Sequence, residues 1–173
     1  MITTTDSGPR FRRPFGTSRS VGQTRRDTRM EPNAAPIVVG MDNSPAAAAA
    51  AREAVRLGQE LAAPLVFVYV RRGPSSALGE PYYQRCLDAE MRAGRRALND
   101  ALAIAERAGV PATGEQLAGS PASRVVEFAR ERGARLVAVG SRRRRLGTSV
   151  SRDVIRSADR PVLVASRKAP VAA

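Results

Sequence analysis

The fold turns on residues 134–155, ARLVAVGSRRRRLGTSVSRDVI. Leu136-Val137-Ala138-Val139 is an apolar run too short for a lone helix and rich in Val, which predicts a buried strand. Gly140 and Ser141 end the run. Arg142 to Arg145 follow, then Leu146, Gly147, Thr148 and Ser149. From Ser149 onward Val150, Val154 and Ile155 fall on one side of a helical pattern. A strand that passes through a polar, glycine-containing loop into a helix N-terminus is a general anion site. Free N–H groups of the first turn point outward, and the helix dipole favours negative charge there. Four guanidinium groups add fork-shaped phosphate donors. The same spacing also describes an ordinary βα turn with a solvated basic loop.

Composition narrows the chemistry. The 173 residues suggest one domain plus a tail, and 43% apolar residues suffice for a core. Aromatics are only 4% and Trp is absent, so Ala, Val, Leu and Ile must fill that core. The formal net charge is +13 with no His, which excludes His-based catalysis and His metal ligation. A single cysteine, Cys86, excludes an intramolecular disulfide and a multi-Cys metal site. Its place on a predicted helix with apolar neighbours suggests a packed thiol rather than a nucleophile. No apolar run approaches the ~20 residues of a membrane span, and no signal-peptide core is visible. The expectation is a cytoplasmic protein without a membrane partner.

Working outward, residues 1–35 read as a disordered Arg-rich tail, with seven arginines against Asp6, Asp27 and Glu31. It reads as a basic arm, as a targeting segment, or as translation upstream of a start at Met30. Pro36 to Met41 is a short buried strand. Asp42 lies at its carboxyl end, and Ser44-Pro45 supplies an N-cap and first helical position for Ala46 to Leu61. Ala50, Ala54, Leu57 and Leu61 form its apolar stripe. Pro64 to Val70 is a second strand. Tyr82 to Ala108 is a long helix with Leu87, Met91, Leu98, Leu102 and Ala105 on one face, closed by Gly109. Gly114 to Ala118 is a weak third strand. Ser120-Pro121 opens a helix that turns Val125, Val126, Phe128 and Ala129 to the core. Pro161 to Ala165 is the last strand. This β-α-β-α-β-α-β-α-β order predicts a parallel sheet with helices on both faces. Ligands of such sheets sit at the carboxyl ends of the strands, near the switch in strand order.

Three stretches together resemble the universal stress protein family. VVGMDNSPAAAAAAREAV resembles its first strand, Asp-containing turn and first helix. AGSPASRVVEFARERGARLVAVGSR resembles its Gly-x-Pro helix entry and fourth strand, and TSVSRDVIRSADRPVLVAS its closing helix and final strand. The resemblance covers about residues 36–168, leaving 169–173 as a short tail. It implies a three-layer α/β/α fold, with five parallel strands in the order 3-2-1-4-5, like adenine nucleotide alpha hydrolases. It also implies a stress-response or regulatory module that binds an adenine nucleotide, ATP with possible Mg²⁺. The implied site comprises Gly40 and Met41, Asp42 near the adenosine, Val70 lining the base, Val139 and Gly140 at the end of strand four, and Ser149 as phosphate-binding hydroxyl with Val150 behind it. The family loop Gly-x2-Gly-x9-Gly-Ser/Thr is altered here. Arg143 stands at the second glycine, Thr148 at the last with Gly147 one residue earlier, and the loop is several residues shorter. Glycines there permit close backbone approach, so the alternative is a homodimeric interaction module whose degenerate loop has lost nucleotide. The resemblance implies a homodimer through Pro161 to Ala165, an apolar edge prone to pair. No nucleophile–base pair is visible, so at most very slow ATP hydrolysis is expected. Nucleic-acid binding is disfavoured, because only Phe11 and Phe15 accompany the arginines as stacking platforms.

Overall fold

A computed structural model describes residues 34–73, 79–141 and 149–166. The expected tail before Ala34, the Arg142–Arg145 run with Arg143, Gly147 and Thr148, and the 169–173 tail lie outside these residues. The elements are β1 (Ile37–Met41), α1 (Pro45–Leu61), β2 (Leu65–Arg71), α2 (Tyr82–Arg107), β3 (Ala112–Ala118), α3 (Pro121–Glu131), β4 (Leu136–Ser141), α4 (Val150–Ser157) and β5 (Val162–Ser166). The five strands form one parallel sheet in the order β3-β2-β1-β4-β5, as expected.

Central β1 is apolar throughout because both its faces are covered. Alternate residues leave opposite sides of a strand. Ile37 and Val39 enter a core with α1 and α2, while Val38 enters a second core with α3 and α4. Alanines do much of the filling: Ala50, Ala51 and Ala54 of α1 are fully buried. Short side chains let α1 lie close to the sheet. At Gly140 the approach is closest, since a Cβ there would stand 2.4 Å from the Ala46 carbonyl carbon and 2.5 Å from the Ala47 nitrogen. Ser44 caps α1 by accepting the Ala47 N–H at 3.1 Å.

Several local expectations are corrected. Cys86 lies on α2 but is exposed. The helix is 26 residues long and fully buries nothing before Gly94, because its first turns run past the end of the sheet and are only partly covered by the described residues. Ile155 and Leu61 are 55% and 39% exposed; each sits near a helix end, off the arc that meets the sheet. Strand β3 starts at Ala112, two residues before the predicted Gly114, because the β2 ladder extends to it through Leu65↔Ala112. Ser120 occupies the N-cap position of α3, but its side chain makes no capping bond. Among the described residues, no helix is long and apolar enough to cross a membrane.

Candidate functional site

The chain runs outward from β1 to β2 and β3, then returns to place β4 on the other side of β1. The carboxyl ends of β1 and β4 therefore border the switch point, where open parallel sheets leave a crevice. A cleft of about 380 Å³ occupies that place. Its floor includes Gly40 and Val139, which are register partners across the β1–β4 pair. Met41, Asp42 and Gly140 continue the floor to the rim, and Val70 lines it from β2. Ser149, Val150 and Ser151 line it from the start of α4. All described members of the expected set thus meet in one cleft. Arg143, Gly147 and Thr148 are outside the described residues.

Local chemistry fixes these groups. The Asp42 carboxylate accepts the Ser44 N–H at 2.9 Å, closing an Asx turn at the entry to α1. The missing Cβ of Gly140 allows the α1 N-terminus to sit against the cleft floor. Ser149 is the N-cap residue of α4, but its hydroxyl does not cap; it pairs with the Ser151 hydroxyl at 2.8 Å. The Ser149 side chain thus leaves the first-turn N–H groups of α4 uncapped, with two hydroxyls beside them.

The fold adds residues that the sequence reading missed. Tyr69, Arg71 and Arg72 line the cleft from the end of β2, and Pro121 and Val125 line it from α3. The arginines follow Val70 directly, so the rule that ligands gather at carboxyl ends of strands would have found them. Glu90 also lines the cleft, from α2. Its Oε2 accepts the Gly73 N–H at 3.0 Å. No sequence spacing announces that placement. The Tyr69 phenol is pushed up from its ordinary range by burial, and further by the Glu90 and Asp42 charges, with Arg96 opposing. Carboxylates from two elements, β1's end and α2, thus act on this phenol, while Arg71 and Arg72 supply positive charge from the end of β2. Among the described residues, no group of three or more acidic, His or Cys side chains is placed to hold a metal ion.

Comparison with known proteins identifies the family. The sequence model of the universal stress protein family matches residues 34–166. A curated universal stress protein of Methanocaldococcus jannaschii is 32% identical over 138 residues, covering 76% of this chain and 81% of that protein. A crystal structure of a universal stress protein family member from Burkholderia pseudomallei is 32% identical, with a TM-score of 0.64 over 75% of this chain and 94% of its own. The universal stress protein from Archaeoglobus fulgidus in complex with dAMP is 25% identical, with a TM-score of 0.62 over 76% and 97%. With a family match that runs from before β1 to the end of β5, the chain belongs to the universal stress protein family.

Proposed function

We propose that this chain is a regulatory module that binds an adenine nucleotide, ATP being the expected form and Mg²⁺ its companion, in the cleft between β1 and β4. The observation that carries the reading is the cleft itself: Asp42, Val70, Gly140 and Ser149, distant in sequence, line one cavity at the switch point. Its volume is within the roughly 300–1,000 Å³ range of small-molecule sites. The dAMP complex of the Archaeoglobus fulgidus relative supports the same ligand class. The reading assigns binding rather than catalysis, with conformation or partner choice as the output in a stress response. It includes a homodimer through β5, whose Val164 is 38% exposed on the open edge of the sheet.

Calorimetric titration of the full chain with ATP, AMP and cyclic AMP in Mg²⁺ tests the proposal. Saturable binding that Asp42→Ala weakens at least tenfold supports it. Absence of heat and of thermal shift with every nucleotide would sink it and leave the dimeric interaction module, which sedimentation of the same sample examines.

A further inference from the structure

Glu90 reaches the cleft from a part of α2 that supplies no residue to the buried core. No residue of α2 before Gly94 is buried, so Tyr82 to Met91 overhang the carboxyl end of the sheet. Gly94 sets the height of that overhang. A Cβ at Gly94 would stand 2.3 Å from Gln116 Nε2 and 2.8 Å from Tyr69 Cδ1. Its absence lets α2 lie directly on β2 and β3, where Tyr69 and Gln116 are register partners. Glu90 is four residues earlier on the same helix face, roughly 6 Å along the axis. The close approach at Gly94 therefore delivers Glu90 over the end of β2, into the cleft that Tyr69 also lines.

The bond from the Gly73 N–H occupies one acceptor position of the carboxylate, and a carboxylate has about four. A ligand entering the cleft strips water from the rest. That costs stability unless the ligand brings donors. A phosphate brought to the same place would be repelled by the Glu90 charge. Asp42 lines the same cleft, and both carboxylates act on the Tyr69 phenol.

We propose that Glu90 is a ligand-binding residue of the cleft: with Asp42 it takes the hydrogen-bond-donating nucleoside half of the nucleotide and leaves the phosphates to the Ser149 end, and Gly94 is its positioning residue. This rests on the nucleotide reading above. Titration of the full chain with AMP separates it from a purely structural role. Glu90→Gln keeps an oxygen for the Gly73 N–H but removes the charge; Glu90→Ala removes both. The expected result is AMP binding about tenfold weaker in both variants, the size of one charged hydrogen bond, with the thermal midpoint of Glu90→Gln unchanged. Wild-type affinity in Glu90→Gln, whatever Glu90→Ala does, would reduce Glu90 to a tether for Gly73 and overturn the inference. A wild-type chain that binds neither AMP nor ATP would instead remove the nucleotide reading, and this inference with it.

Discussion

The two walls of the cleft are built in different ways. The wall formed by β1, β4 and α4 consists of short consecutive runs: Gly40-Met41-Asp42, Val139-Gly140 and Ser149-Val150-Ser151. Its shape depends on backbone meeting backbone, because Gly140 faces the main chain of Ala46 and Ala47. The wall formed by β2 and α2 depends on side chains. Tyr69, Arg71 and Arg72 leave a strand end, and Glu90 arrives from another element. Its tight point is Gly94 against the side chains of Gln116 and Tyr69. A backbone contact has no rotamer to yield, whereas a side-chain contact does. The first wall should therefore be rigid and intolerant, and the second adjustable.

Gly140→Ala should have the largest effect. The new methyl would lie 2.4–2.6 Å from three backbone atoms of Ala46 and Ala47, so β4 and α1 must separate. The expected loss is about 3 kcal/mol, the upper part of the usual overpacking range, read from the urea midpoint at constant m-value. Gly94→Ala places its methyl nearer still, at 2.3 Å from Gln116 Nε2 and 2.8 Å from Tyr69 Cδ1, but both are side-chain atoms. Gln116 can turn away and the Tyr69 ring must shift, a cost partly offset because Ala is a better helix former than Gly by about 1 kcal/mol. The net loss should be about 1 kcal/mol, accompanied by weaker AMP binding as Glu90 withdraws. If the two substitutions cost the same, the contrast between backbone-built and side-chain-built walls is wrong.

The difference between the walls also explains what could be read from the sequence. The first wall sits in local patterns: an apolar run, a breaking Gly or Asp, then a capping Ser. Each run carries its own strand-to-helix signal, so the alternating elements and residues such as Asp42 and Ser149 were legible. The order 3-2-1-4-5 was legible through the family resemblance, since alternation alone does not order strands. Glu90 was not legible, because it is placed by the crossing of α2 over β2 and not by any neighbour in sequence. Cys86 was misread for a related reason. Helical spacing gives the apolar face of α2 but not how far the sheet extends beneath it, and the sheet ends before Cys86 is reached.

Asp159 provides the smallest effect and a control for the comparison, because it precedes β5 at the end of the sheet opposite the cleft. It receives Arg160 Nε at 2.8 Å and Arg130 Nε at 3.2 Å, tying the start of β5 to α3. Arg160 in turn donates to the Ala134 carbonyl. Hydrogen bonds from Arg160, then Arg130, outweigh desolvation and hold the Asp159 carboxyl well below the usual carboxylate range. A carboxyl whose folded pKa is depressed contributes stability above its unfolded value, near 4. That contribution fades as pH falls toward the lower folded value. Asp159→Asn should therefore be slightly less stable than wild type at neutral pH, with the gap closing between about pH 5 and pH 2. Asp159 and Arg130 are exposed, so salt should shrink the difference at every pH. Urea midpoints measured across that pH range, at low and high salt, read both effects. AMP titration at neutral pH should be indifferent to the substitution. An affinity change there would mean that the two ends of the sheet are coupled, and that the cleft walls are not set by their local contacts alone.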